Sequence, residues 1–162
     1  MTAFNVPNAP DGDGGYWLIR VDGRDDTVLY QTAYANRQNS GVPNSVICRR
    51  YYVNSEWSPW EYITPPMQLG VEYRTVERYN GKPVYVKAVN CGMLVGDKSV
   101  EHGVANMKAC IEVNGCAGPQ NLVGNASTGS ITVDSSVIKT VVYSDIPHED
   151  SIVIIKYTKT TD

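Results

Sequence analysis

The feature that most constrains this chain is a two-residue hydrophobic alternation that restarts many times along its length. It never gives way to a sustained 3.6-residue stripe. In Tyr16-Trp17-Leu18-Ile19-Arg20-Val21, an extended backbone puts Trp17, Ile19 and Val21 on one face. In Ile47-Cys48-Arg49-Arg50-Tyr51-Tyr52-Val53 it puts Ile47, Arg49, Tyr51 and Val53 on one side. Further strands are expected over 27–34, 57–63, 76–79, 82–89, 98–102, 107–113, 129–133, 136–143 and 151–159. Asn80-Gly81 between two alternating runs is a strong hairpin signal, and Asp22-Gly23, Asn54-Ser55 and Asn114-Gly115 read as turns. Eleven Tyr and three Trp, against a single Phe, suit a pleated, half-buried surface. The expected class is all-β.

Thr64-Pro65-Pro66 divides the chain, because two successive prolines remove two backbone donors and fix φ. The expected organisation is an N-terminal attachment segment at 1–15, a small β-rich module at 16–64, and a C-terminal antiparallel β-sandwich at 67–162. Residues 1–15 carry clustered Pro, Gly and Asn and little periodic hydrophobicity, which suggests an extended segment. Residues 36–44 read as a polar loop. Pro59 suits an edge strand or a bulge, not a central strand.

Several function classes are disfavoured. Fourteen basic and seventeen acidic residues are interspersed, with a net charge of −3, so no phosphate-tracking surface stands out and no nucleic-acid partner is expected. The first residues show neither a basic start nor an apolar run, which argues against a secretory signal. No stretch approaches the ~20 apolar residues of a spanning helix, so membrane insertion is not expected. Cys48, Cys91, Cys110 and Cys116 form no Cys-x-x-Cys pair and are expected to be free thiols, as after cytosolic assembly. With two separated histidines, they make poor material for a zinc site.

No constellation selects a reaction. A nucleophile–base arrangement needs a histidine beside Ser or Cys. His102 reads as a strand-end histidine bonding loop backbone, and His148 lies in an acidic surface turn, Ile146-Pro147-His148-Glu149-Asp150. Glu56, Glu61, Asp145 and Glu149 are candidate glycosidase carboxylates, yet their spacing favours no pair. Asp25-Asp26-Thr27 lacks the rest of a twelve-residue calcium loop. Trp57 and Trp60 could form a sugar platform, but three positions apart on an unbroken strand they fall on opposite faces, which favours packing. No enzyme activity, cofactor or metal is expected. Recognition, if present, is expected at polar loop tips: Gln120, Asn121, Asn125, Asp145, His148 and Glu149.

Two motif groups resemble known proteins. Glu77-Arg78-Tyr79-Asn80-Gly81-Lys82-Pro83-Val84-Tyr85-Val86-Lys87, followed by Asn90-Cys91-Gly92 and Val100-Glu101-His102-Gly103-Val104, resembles the C-terminal head module of bacteriophage and prophage fibre proteins. Gly15-Tyr16-Trp17, Leu29-Tyr30-Gln31-Thr32-Ala33-Tyr34, Arg49-Arg50-Tyr51 and Trp57-Ser58-Pro59-Trp60 are similar to a repeat pattern of phage fibres. Together they cover about residues 15–157. The resemblance implies a homotrimeric, β-rich virion protein that projects from the particle, joins other virion proteins through its N-terminal segment, and attaches to a host cell-surface glycan or protein. A capsid head-fibre or decoration protein with a purely structural role is the alternative. A row of short strands with open edges fits such self-assembly.

Overall fold

The computed structural model describes residues 2–4, 8–10, 16–35, 45–117, 120–121, 129–134, 136–142 and 148–162; the side chains of 2–4, 117, 120–121, 129, 141–142 and 148 fall outside that description. Every regular element among these residues is a strand, so the fold is all-β. The chain divides into two compact units, Met1–Pro66 with Tyr73–Val76, and Met67–Glu72 with Glu77–Asp162.

The first unit contains β1 (Thr2–Phe4), β2 (Tyr16–Asp25), β3 (Val28–Ala35), β4 (Ile47–Val53), β5 (Glu56–Trp57) and β6 (Glu61–Thr64), plus the middle of β7 (Glu72–Tyr79). Their order across the sheet is β1-β2-β3-β4-β6-β7, with β5 folded back on β4. The pairs are antiparallel except β6–β7, which pairs in parallel at Tyr62 and Thr75. Part of the leader is therefore a strand: Thr2–Phe4 pairs with Tyr16–Leu18 of β2.

One face of this sheet is packed. Trp17, Ala33, Ala35, Val46 and Cys48 are buried there, with Ala9, Ile19, Trp60 and Tyr62 against them. Trp17 lies opposite Ala35, and Ala33 opposite Cys48, so the small side chains leave room for the indole. β4 faces inward through Cys48, Arg50 and Tyr52, while Arg49, Tyr51 and Val53 stay exposed. The expected set of Ile47, Arg49, Tyr51 and Val53 does share a side, and it is the outward one.

Turn chemistry settles two hairpins and corrects two expectations. Asn80 and Gly81 both have positive φ, 49° and 75°, as a type I′ hairpin requires, and Asn54 and Ser55 do likewise at 52° and 65°. Asp22-Gly23 is not a turn, because β2 runs through it to Asp25. An added Cβ on Gly23 would lie 2.5 Å from Leu29 Cδ2, so close packing selects glycine there. Asn114-Gly115 likewise sits within a continuous strand.

The β2–β3 turn closes on Asp25, whose Oδ1 accepts from the Thr27 hydroxyl and from the amides of Thr27 (2.9 Å) and Val28 (3.2 Å). These bonds, the Thr27 hydroxyl first, hold the Asp25 carboxyl down at about 2 from the ordinary 3.8. A depressed folded pKa means the anion stabilises the turn above the unfolded value. That contribution is lost as pH falls toward 2. In a carbon-13 NMR titration the Asp25 carboxyl is expected to titrate with a midpoint near 2; an ordinary carboxylate midpoint would contradict this turn geometry.

The second unit contains β8 (Lys82–Leu94), β9 (Asp97–Glu101), β10 (Met107–Ala117), β11 (Gln120–Asn121), β12 (Gly129–Val133), β13 (Val137–Val142) and β14 (His148–Lys159). β8, β14, β10 and β11 form one antiparallel sheet and β12, β13 and β9 another. The two share one core: Val89, Cys91, Val153, Ile155 and Tyr157 from the first meet Ile138 of the second, with Val100, Ile131 and Val133 packed alongside. This is an antiparallel sandwich. β8 is buried on both faces, through Val84, Val86 and Ala88 on one and Val89 and Cys91 on the other, so it reads as a nearly continuous apolar run.

Gly115 lies inside β10, opposite Val153. A Cβ there would come within 2.4 Å of Ile131 Cδ1, because the smaller sheet presses onto the strand at this point. Near the chain terminus Tyr157 is fully buried, stacks on Tyr85 with centroids 6.0 Å apart, and donates its hydroxyl to Glu72. Burial, and then the Glu72 carboxylate, push this phenol above its ordinary pKa.

Candidate functional site

The second unit brings two of its motif strings, residues 81–87 and 100–104, into contact. β9 ends at Glu101, and the chain then bends through His102, Gly103 and Val104. His102 is 2% exposed. The Val104 amide donates to its Nδ1 at 3.1 Å, so the ring proton sits on Nε2, which faces the Asp134 carbonyl at 3.3 Å. Gly103 has φ +60°, a conformation costly for other residues, and its carbonyl accepts from Lys87 Nζ at 3.2 Å. Lys87 closes the segment 81–87, so this bond ties it to residues 100–104. Both ring nitrogens of His102 are engaged by backbone, and the residue is a structural corner-piece.

The carboxylates considered for hydrolysis are placed apart in role. Glu61 is 2% exposed and accepts from Arg74 Nε at 3.2 Å, whereas Glu56 is exposed beside the β4–β5 turn. Glu149 is exposed near the start of β14, and Asp145 lies outside the described residues. Asp25 spends its Oδ1 on its own turn. Among the described residues no group of three or more His, Cys, Asp or Glu could hold a metal ion.

Of the expected recognition residues, Gln120 and Asn121 form β11 and pair with Ala117 and Cys116. His148 begins β14 opposite Leu94. Asn125 lies outside the described residues, as do the side chains of Gln120, Asn121 and His148. The strand register places Gln120, Asn121, His148 and Glu149 at one end of the sandwich, together with the β8–β9 connection. The end of β8 and the residue after it expose Met93 (55%) and Val95 (48%) around the fully buried Leu94. Gly92 and Gly96 bracket this stretch with positive φ, and Lys98 Nζ donates to the carbonyls of Cys91 and Met93. Its apolar tip was not foreseen, although the paired glycines were the available sign.

The first unit holds a cleft of about 530 Å³ lined by Arg50, Trp57, Ser58, Pro59 and Trp60 with Asn8 and Ala9. Here the parity argument against pairing the two tryptophans fails, because the strand is interrupted: β5 stops at Trp57 and β6 begins at Glu61. Both indoles therefore reach one guanidinium, with Arg50 Cζ 4.6 Å from the Trp57 centroid and 4.4 Å from that of Trp60. Arg50 Nε donates to Gln31 Oε1 at 2.8 Å, and Trp60 Nε1 donates to the Asn8 carbonyl at 2.7 Å. Tyr52 backs Trp57 at 5.2 Å.

No protein-family model matches the chain, and no curated protein matches it in sequence. Among solved structures, an N-truncated R2-type pyocin tail fiber is similar at 11% identity, over 94% of this chain and 85% of that one, with a TM-score of 0.32. C-terminal fragments of the R1 and R2 pyocin fibers of P. aeruginosa are similar at 15% and 10% identity, with TM-scores of 0.28 and 0.34. The chain covers 58% of each of those two fragments.

Proposed function

We propose that this chain is a structural fibre protein of a phage or phage-like particle, assembled as a homotrimer and attaching the particle to a host cell surface. The observation that carries the proposal is the outer face of the first unit's sheet. Leu18, Tyr34 and Ile47 lie in one cross-strand row, and Tyr30 and Tyr51 in another. Leu18 is 45% exposed and Tyr30 54%, with Tyr16, Tyr34, Tyr51 and Val53 exposed beside them. Large apolar side chains gathered in cross-strand rows on an open sheet suit an association surface. The row Arg20, Thr32 and Arg49 separates the two rows, so the outer face carries apolar stripes with charge between them, a pattern suited to burial against copies of the same chain.

The number three, the virion location and the attachment role come from the resemblance of the motif strings to phage-fibre modules. Residues at one end of a rigid sandwich suit recognition: the strand residues Gln120, Asn121, His148 and Glu149, with Asn125 and Asp145 outside the described residues, remain the proposed contact region. Three copies on one tip raise the strength of a weak surface contact. The N-terminal segment is the proposed link to other virion proteins. Catalysis is no part of this reading, because His102 and Glu61 are consumed by structural bonds.

Gold-labelled antibody raised against the second unit tests the proposal on particles from cells that encode the chain. Label is expected on the fibres projecting from the tail. Label on the capsid shell, or particles without label, would contradict it.

A further inference from the structure

We infer that the Arg50 cleft binds an anionic saccharide, a sugar bearing a carboxylate or a phosphate. This deepens the attachment role proposed above and rests on it for its biological setting, while the binding chemistry stands on the cleft itself. Arg50 Cζ lies over both the Trp57 and the Trp60 ring, and these contacts engage the cation without using its N–H donors. Nε already donates to Gln31, and no described residue accepts from Nη1 or Nη2. A half-buried cation without a carboxylate partner is costly unless an acceptor arrives. A guanidinium fork matches carboxylate or phosphate oxygens in a bidentate pair.

The surroundings call for more than a bare ion. About 530 Å³ exceeds what a lone oxyanion needs and falls in the range of small-ligand sites. Trp57 is 36% exposed and offers apolar surface, while Ser58 and Asn8 line the same cleft with polar atoms. A sugar ring has apolar C–H surface and hydroxyls in the same proportions, and its acidic group completes the match. The indoles also hold Arg50 in place before a ligand arrives, which lowers the ordering cost of binding.

The full chain, nitrogen-15 labelled, is titrated with glucuronate, with glucose 6-phosphate and with neutral glucose, following the three indole N–H signals. Trp57 and Trp60 are expected to shift with dissociation constants on the order of 1–10 mM for an acidic sugar, and Trp17, buried in the core, to stay put. Response to glucuronate alone assigns a carboxylate ligand, to the sugar phosphate alone a phosphate ligand; either supports the inference. Neutral glucose is expected to bind at least about tenfold more weakly, and Arg50→Gln or Arg50→Lys to weaken the acidic sugar about as much. Equal response to glucose, no response to either acid, or binding unchanged in a folded Arg50 variant would overturn it. If both variants fail to fold, the comparison of acidic with neutral sugar on the unaltered chain decides. Sedimentation of the same sample separates the two readings: a trimer that ignores acidic sugars ends this inference alone, and a monomer that binds them ends the fibre reading alone.

Discussion

Replacing His102 with alanine is expected to lower the unfolding free energy by about 3 kcal/mol, because the buried Val104 amide loses its acceptor and a cavity opens. The Val104 amide loses its acceptor, and the Asp134 carbonyl loses the Nε2 donor. His102 is 2% exposed, so water cannot easily reach the Val104 amide without opening the corner, whereas the Asp134 carbonyl lies on an exposed residue. A loss of that size corresponds to a fall in Tm of roughly 12–20 °C for a domain of about a hundred residues. His102→Asn, which keeps a short acceptor near the Val104 amide, is expected to recover part of the loss. Thermal and urea unfolding measure both. A change below about 1 kcal/mol for the alanine variant would show that the corner is not held as described.

Placing carboxylates on the outer face of the first unit's sheet is expected to abolish self-association while leaving each chain folded. Leu18 and Tyr34 are cross-strand partners, 45% and 37% exposed in the single chain. In Leu18→Glu/Tyr34→Glu each chain forfeits roughly 2 kcal/mol per apolar side chain at the interface, so a trimer loses on the order of 10 kcal/mol before like-charge repulsion is counted. No ordinary assembly that forms at micromolar concentration survives that loss. The substituted positions are exposed in the chain itself, so unfolding of the separated subunit is expected to move by less than about 1 kcal/mol beyond the trimer's linkage contribution. A double variant that keeps the mass of the unaltered protein would remove this face from the interface.

The strands were largely legible because their signals are local. Alternation in 16–21, 47–53 and 151–159 needs only neighbouring residues, and Asn80-Gly81 carries its positive φ in its own chemistry. What escaped was set at long range. Gly23 and Gly115 looked like turn glycines, yet each is small because Leu29 or Ile131 arrives against it from another strand. Nothing within a few residues of Asn114-Gly115 announces the second sheet of the sandwich. The Arg50 cleft escaped for a related reason. Pro59 was recognised as a sheet irregularity, but the parity argument for Trp57 and Trp60 still assumed an unbroken strand, and the interruption at Ser58–Trp60 swings both rings onto Arg50.

β4 shows the limit most clearly. Hydrophobicity alone could not choose between the Ile47, Tyr51, Val53 side and the Cys48, Arg50, Tyr52 side, since both are partly apolar. The core took the latter, where Trp17, Ala33 and Trp60 converge. The remaining side, with Tyr51 and Val53 exposed, is the face proposed for self-association. For His102 the local reading sufficed, because the residue bonds the backbone two positions ahead.

Sedimentation velocity on the purified chain at about 10 µM tests the self-association at the centre of this reading most directly. A single species of three times the 17.8 kDa chain mass is expected. A stable, cooperatively folded species of 17.8 kDa at that concentration would contradict it.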